Sequence, residues 1–144
     1  MVLPSGLHEI VGNEELISRF LTSHGHCNAS VVKPGAYLPN RKNGKLSVAR
    51  HSAEPISESQ MIAKEDFGLE KAFGVALLDA KAFRDEGLDF EADDTPPRHA
   101  DVIGWPWLPD DPEFGKSIQK LKAASLGQKA TLIIYPITES EPSN

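Results

Sequence analysis

The spacing of apolar residues changes several times along the chain, and each change predicts a different element. Near the start, apolar side chains recur at one-turn spacing behind a possible helix cap at Asn13. The members of this stripe are Leu16, Ile17, Phe20 and Leu21. This spacing predicts a short amphipathic helix as the first regular element.

Strand-like patterns follow at five places. Residues 46–50 run Leu, Ser, Val, Ala, Arg, and residues 88–92 alternate apolar with acidic side chains, as in a half-buried strand. Residues 75–78 form a compact apolar run, and residues 100–104 are a further candidate. Residues 131–135 combine β-branched and aromatic side chains, which predicts a strand at the centre of a sheet.

Two short helices are indicated by their caps and stops. Ser57 begins a capping-box pattern before an apolar stretch that Gly68 ends. Asp79 has the position of an N-cap for a second helix, which Gly87 would terminate.

A longer helix is predicted near the C-terminal end. Asp110 or Asp111 caps it, Pro112 fits its first turn, and Gly127 is a natural terminator. Its apolar stripe consists of Phe114, Ile118, Leu121 and Leu126. Such a stripe is typical of a helix that packs one face against a core.

Helices and strands interleave without a repeated βαβ spacing, and the loop between residues 92 and 100 is too short for a crossover helix. The pattern therefore predicts a single α+β domain over residues 1–144, with flexible ends at about 1–12 and 138–144. We expect a mixed or mainly antiparallel sheet of about five strands, packed by about four short helices.

Composition places this domain among ordinary globular proteins, with 40% hydrophobic and 25% charged residues. The formal charge of -6 repels polyanions, and the basic run 33–45 has Tyr37 as its single aromatic, so nucleic-acid binding is not expected. Cys27 is the one cysteine, and the N-terminus has no basic stretch followed by a long apolar one. These features predict a soluble cytoplasmic protein without a membrane partner.

Three possible metal ligands crowd into a short loop, namely His24, His26 and Cys27. A structural zinc site normally takes two pairs of ligands from separate turns, and no second pair follows here. A polar loop with Cys27 turned into the core is the favoured interpretation, and no metal or cofactor is expected.

Two Arg-His steps are more informative. Arg50 and His51 end one predicted strand, and Arg98 and His99 begin another. A guanidinium beside an imidazole suits a phosphate group, with the histidine available for proton transfer. If the two strands are neighbours, the two steps could converge on one cleft, although no spacing forces this.

The run Trp105, Pro106, Trp107 and Leu108 is a possible binding surface, because such an apolar cluster would be unusual if fully exposed. Glycine-rich phosphate loops, His-Glu-x-x-His and Gly-x-Ser-x-Gly are absent from the sequence. We therefore expect an interaction or accessory module that binds another protein or itself. The alternative is a small enzyme that acts on a phosphate-containing or nucleotide-like substrate through the two Arg-His steps.

Overall fold

A six-stranded antiparallel sheet organises the part of the chain that the computed structural model describes, which is residues 2–28, 31–51, 59–106 and 110–135. Its strands are β1 (Leu16–Leu21), β2 (Leu46–Arg50), β3 (Gly74–Asp79), β4 (Asp89–Ala92), β5 (His99–Ile103) and β6 (Thr131–Ile134), in the spatial order β4-β5-β2-β1-β3-β6. The helices are α1 (Ser59–Glu65), α2 (Ala80–Asp85) and α3 (Pro112–Lys129), with 3-10 turns at His24–His26 and Pro34–Tyr37. The predicted α+β domain is confirmed, with one more strand and one fewer α-helix in the described residues than expected.

The predicted first helix is wrong, because Leu16–Leu21 is the strand β1 near the middle of the sheet. β1 pairs with β3 along its whole length, from Leu16 opposite Asp79 to Leu21 opposite Gly74. Both faces of β1 are buried, so its sequence shows no alternation of apolar and polar residues. The resulting cluster of apolar side chains imitates the spacing of an amphipathic helix.

The composition of residues 131–135 predicts a strand at the centre of the sheet, and this prediction is wrong. The strand β6 lies at an edge of the sheet. It pairs only with β3 among the described strands. Ile134 is exposed, so a β-branched sequence here reflects local strand preference and not central burial.

The sheet carries a core on each of its faces. One core contains the even-numbered side chains of β2 and β3, such as Val48 and Ala76, and packs against α2, α3 and the 3-10 turn Pro34–Tyr37. The opposite core contains Ala49 and Val75 and packs against α1. Neighbouring residues of one strand therefore belong to different sides of the domain.

The predicted apolar stripe of α3 does not face the core. Phe114 and Leu121 are 57% and 71% exposed, and Leu126 alone of the predicted stripe is fully buried. The buried face of the helix consists of Gly115, Gln119, Ala123, Leu126 and Gly127. α3 packs mainly through small residues because its backbone approaches the loop at Val32 closely, and the helix continues past Gly127 to Lys129.

Several local predictions are confirmed. The carboxylate of Asp79 accepts the N–H of Ala82, and that of Asp111 accepts the N–H of Phe114, as N-caps do. Gly87 follows α2 with a φ of 82°, the left-handed conformation that suits glycine after a helix. Ser57 and the predicted flexible tail 138–144 lie outside the described residues.

Part of the segment before β1 contacts the body of the domain. The N–H of Ser5 donates to the carboxylate of Asp94 at 2.7 Å, and Val11 is buried in the core. Across the four described ranges, none of the helices combines the length and the apolar character that a membrane crossing needs.

Candidate functional site

The two predicted Arg-His steps lie side by side in the sheet, because β2 and β5 are paired. Ala49 is the register partner of His99, and the N–H of Arg50 donates to the carbonyl oxygen of Arg98 at 2.8 Å. Because successive side chains of a strand alternate, Arg50 and His99 lie on opposite faces of the sheet. The backbones of the two steps meet, but these two side chains do not share a cleft.

Three of the four residues are held by internal contacts. Arg50 is 1% exposed and binds both carboxylate oxygens of Glu15, at 2.7 and 2.8 Å. His51 is 2% exposed, and its N–H donates to the carbonyl oxygen of Leu16. Arg98 forms an ion pair with Asp66 at 3.4 Å. Of the four, His99 is the residue that joins a polar cluster at the surface.

His99 connects Ser47 to Asp93 by two hydrogen bonds. Its Nε2 lies 2.9 Å from the Ser47 hydroxyl oxygen, and its Nδ1 lies 2.6 Å from Oδ1 of Asp93. The ring is buried, while Ser47 and Asp93 are exposed. A buried imidazole thus stands between a hydroxyl group and a carboxylate that both reach solvent.

The sheet register explains how these residues meet. Ser47 and Ala49 point to the same face of β2, and His99 is opposite Ala49 on β5. Asp93 directly follows β4, and its carboxylate also accepts the N–H of Thr95 at 3.0 Å. The strands β2 and β5 and the segment directly after β4 therefore contribute one residue each to the cluster.

The charge of Asp93 selects the proton position on His99. Burial acts to raise the pKa of Asp93, but hydrogen bonds from Thr95 and His99 outweigh it and hold the pKa below the ordinary 3.8. An ionised carboxylate only accepts hydrogen bonds, so Nδ1 must donate to it. In the neutral ring, Nε2 then carries the lone pair and accepts the hydroxyl proton of Ser47.

A second carboxylate approaches the same ring. Oδ1 of Asp101 lies 3.5 Å from Nε2 of His99, and Asp101 is the register partner of both Ser47 and Glu91. Burial raises the pKa of Asp101. His99 and Lys45 act against this effect, whereas the negative charges of Asp93 and Glu91 add to it, and the pKa stays above its ordinary value. The two aspartates beside His99 therefore have pKa values displaced in opposite directions, an arrangement that is common where protons are transferred.

Asp93, His99 and Asp101 are also the one group of three possible metal ligands among the described residues, with ligand atoms within 4.8 Å of one another. The geometry fits an ion poorly. The two carboxylates approach different ring nitrogens, so an ion on Nε2 would leave Asp93 bound to Nδ1. The ammonium group of Lys45, 2.8 Å from Glu91, lies near both aspartates and opposes a cation.

A cavity of about 210 Å³ adjoins the cluster. Its polar lining is Arg19, Asn40, Asn43, Lys45, Ser47 and Asp101, and Leu38 and Leu46 complete its wall. Ser47 therefore belongs both to the cavity and to the hydrogen-bonded chain through His99. Wider depressions, near Asp79 and Asn13, are not lined by a serine or a histidine.

The other predicted sites lie elsewhere. Trp105 is 6% exposed and part of the core, whereas Trp107 and Leu108 lie outside the described residues. The carbonyl oxygen of Pro106 accepts a hydrogen bond from Gln119. Of the described residues of this predicted surface, Trp105 is therefore buried and Pro106 is partly exposed.

In the predicted metal loop, the ring of His24 stacks on Phe73 at 5.3 Å between centroids, and Cys27 packs against the core. His26 lies between them, and burial lowers its pKa. In the described residues these three side chains do not form a ligand group, in contrast to the cluster around His99.

Sequence reasoning identified His99 but missed both Ser47 and Asp93 as its partners. Ser47 is one of many serines, and nothing near it in the chain marks it as special. The one usable signal is its position on an alternating strand, on the same side as Ala49. To predict the contact of Ser47 with His99 from that position, one must also know that β2 pairs with β5.

Chemically, the cluster can withdraw a proton from a serine hydroxyl, because a hydroxyl, an imidazole and an orienting carboxylate are within hydrogen-bond reach in that order. The cavity beside it supplies hydrogen-bond donors for an oxygen that becomes negatively charged. No family model, no curated protein and no solved structure matches this chain.

Proposed function

We propose that the protein is a small serine-dependent enzyme that hydrolyses esters or transfers their acyl groups. Nε2 of His99 accepts the hydroxyl proton while Oγ of Ser47 attacks the carbonyl carbon, and the carbonyl oxygen becomes negatively charged. The proton then passes to the departing alcohol as the C–O bond breaks, and the acyl group stays on Ser47. A water molecule, deprotonated by His99, releases the acid and restores the hydroxyl.

One observation carries the proposal, namely the 2.9 and 2.6 Å hydrogen bonds that join Ser47 to Asp93 through His99. Amide groups of Asn40 and Asn43 line the adjoining cavity and would stabilise the developing oxyanion. This mechanism retains His99 from the predicted Arg-His steps. It does not use Arg50, because Glu15 already neutralises that buried guanidinium.

A fluorophosphonate reagent tests the nucleophile directly. In the expected reaction, Oγ of Ser47 forms a bond to phosphorus, fluoride leaves, and His99 takes the hydroxyl proton. Mass spectrometry of the digested protein is expected to find the label on Ser47, and Ser47→Ala should lose it. Hydrolysis of 4-nitrophenyl acetate should fall in parallel by at least about a hundredfold.

Ser117→Ala is the matched control, because Ser117 is an exposed serine whose hydroxyl donates to the carbonyl oxygen of Glu113 in its own helix and to no other described residue. It should keep both labelling and hydrolysis. Circular dichroism melting curves establish that each variant is folded. An unlabelled Ser47 in the folded wild-type protein, or full hydrolysis by Ser47→Ala, would refute the proposal.

The exposed stripe of α3 favours a second candidate function, self-association of two copies through this helix. Phe114, Ile118 and Leu121 are spaced by four and three residues, as in helix pairs that bury a shared seam. In an antiparallel pair, the acidic start of one helix, with Asp111 and Glu113, would lie near the basic end of the other. The exposure of Phe114 and Leu121 and this charge complementarity both support a twofold dimer.

Light scattering across a wide range of protein concentrations tests this association. Leu121→Glu is expected to shift the protein to monomer, since it places a charge in the seam. Met61→Glu is the control, because Met61 is an exposed apolar residue of α1, outside the stripe. Monomeric wild-type protein at every concentration would exclude the dimer. The same oligomeric state in both variants would show that the α3 stripe is not the dimer interface.

The cytoplasm is the compartment that we propose for this enzyme. Cys27 is a free, partly buried thiol that packs against the core, and such a thiol has no need of an oxidising environment. Fractionation of cells that express the full chain checks this location. Recovery in the extracellular or membrane fraction would contradict it.

A further inference from the structure

Arg19 is a partly buried cation without a carboxylate partner in the described residues. Its Nε donates to the carbonyl oxygen of Ala36 at 2.8 Å, and its Nη1 donates to that of Ser47 at 3.1 Å. Burial lowers the pKa of Arg19, and the opposing effect of Tyr37 does not cancel it. Because this guanidinium has no ionic partner among the described residues, an anion that binds beside it would be stabilised by its charge.

The sheet opens where Arg19 lies. The ladder between β1 and β2 contains the pairs Ile17 with Arg50 and Ser18 with Ala49, and it stops there. The guanidinium bonds to the main chain of Ser47 beyond the end of this ladder. Two main-chain carbonyl groups therefore fix its orientation, while its Nη2 has no hydrogen-bond acceptor among the described residues.

Asn40 and Asn43 add donors to the same cavity. Oδ1 of Asn40 accepts the N–H of Lys42 at 2.7 Å, and Oδ1 of Asn43 accepts the N–H of Lys45 at 3.0 Å. These bonds use the amide oxygens and leave the NH2 groups as donors. Arg19 and both asparagines line the cavity together with Ser47.

We infer that this cavity binds the anionic end of the substrate, so that the enzyme acts on short esters that carry a carboxylate or a phosphate group. Arg19 supplies the charge, and the two amide groups supply further hydrogen bonds. A volume of about 210 Å³ equals roughly seven water molecules, which fits a small anion and not a long acyl chain. The inference rests on the proposed function, because Ser47 links the cavity to His99.

Asp101 also lines the cavity and acts against an anion. Asp101→Asn removes that repulsion and is therefore expected to strengthen anion binding. Lys45 cannot fully compensate for Asp101, because its ammonium group is engaged by Glu91 at 2.8 Å. An increase in anion affinity in Asp101→Asn would therefore support binding in this cavity, and an unchanged or lower affinity would contradict it.

Binding is measured without catalysis by titrating the Ser47→Ala protein with succinate and with inorganic phosphate in a calorimeter. This background keeps the carbonyl oxygen that holds Arg19. Adding Arg19→Gln should weaken binding at least about tenfold, since a charge-assisted hydrogen bond is lost. Lys42→Met is the matched control, because Lys42 is an exposed cation of the same loop that does not line the cavity.

If Arg19→Gln does not fold, Asn43→Ala in the same background takes its place and should weaken binding by several-fold. Failure of both anions to bind the Ser47→Ala protein would overturn the inference. Equal affinity of the Lys42→Met protein and the cavity variants would overturn it as well.

Catalysis separates the two proposals. The wild-type enzyme should hydrolyse 4-nitrophenyl hemisuccinate at least about tenfold more efficiently than the neutral methyl ester of the same compound. Equal rates on the two esters, with Ser47 labelled by fluorophosphonate, would refute the anion site and leave the serine enzyme standing. Succinate binding through Arg19, without hydrolysis or labelling of Ser47, would refute the serine enzyme and leave the anion site standing.

Discussion

The carboxylate of Glu15 holds the guanidinium of Arg50 through two parallel hydrogen bonds of 2.7 and 2.8 Å, with Arg50 almost completely removed from solvent. Both residues flank the same pair of central strands, since Arg50 ends β2 and Glu15 immediately precedes β1. The carboxylate also accepts the N–H of Gly12. This pair therefore has a structural role that its sequence context, beside His51, does not reveal.

Glu15→Gln is expected to destabilise the fold by about 3–5 kcal/mol, because it leaves the buried charge of Arg50 without a counter-ion. Urea denaturation measures the loss. Asp85→Asn breaks the exposed ion pair with Lys81 and should cost no more than about 0.5 kcal/mol. Equal losses of stability in the two variants would show that Arg50 does not depend on Glu15 as a buried counter-ion.

Asp93→Asn is expected to lower kcat for ester hydrolysis by about 10²–10⁴-fold with little change in KM. An amide at this position can donate to Nδ1 and so stabilise the ring form whose Nε2 already bears a proton. Steady-state kinetics measures the effect, with Asp89→Asn, at the start of the strand that precedes Asp93, as the control. Asp89 bonds to Arg84 and not to His99, so a similar loss in both variants would contradict the assigned role.

The pH dependence of stability should differ in sign between two carboxylates. The pKa of Asp101 is raised, so its proton stabilises the fold at low pH, and that stability is lost as the pH rises from 3.8 through the raised value. Asp101→Asn should therefore be more stable than the wild type at pH 7, with the gain absent below about pH 3.8.

For Asp93 the sign is reversed. Its lowered pKa means that the carboxylate stabilises the fold above 3.8, and this contribution is lost as the pH falls through the lowered value. Asp93→Asn should be less stable than the wild type at pH 7. Thermal melting of both variants over the acidic range tests the pair, and shifts of the same sign would contradict this account.

Gly127→Ala tests the close approach of α3 to the loop at Val32. A Cβ at this position would lie 2.5 Å from the carbonyl oxygen of Val32, so the helix must shift. The expected loss is about 1–3 kcal/mol, although alanine is the better helix former. Gly25→Ala meets its nearest atom at 3.6 Å and should leave the melting temperature nearly unchanged, and an equal drop in both would refute the packing argument.

The sequence predicts correctly those elements that depend on interactions between residues close together in the chain. The strand β2 and the caps at Asp79 and Asp111 follow from short-range alternation and side-chain to backbone bonding. β1 was mistaken for a helix because burial on both faces removes the alternation that identifies a strand. For α3, the spacing predicts a helix correctly, but its buried face is formed by Gly115, Gln119, Ala123, Leu126 and Gly127, and not by Phe114 and Leu121.

The candidate site was predictable only in part for a related reason. His99 attracted attention because imidazole is chemically versatile, and its strand was recognised. Ser47 lies on β2 and Asp93 directly follows β4, so their contact with His99 depends on the register of β2 and β4 against β5. Register between strands distant in the chain is decided by the packing of both sheet faces, which no local window of sequence contains.

The place of β1 near the middle of the sheet affects how the chain acquires its structure in time. Of the described strands β1 is synthesised first, yet its neighbours β2 and β3 end only at Arg50 and Asp79, and β2 also needs β5. Closing such long loops costs chain entropy before any pairing repays it, so folding is expected on a timescale of roughly milliseconds to seconds. A nascent chain that ends before Ile103 would expose unpaired strand edges, which are prone to aggregate. Once β5 is synthesised, β2 and β4 can pair with it, and the risk of aggregation falls.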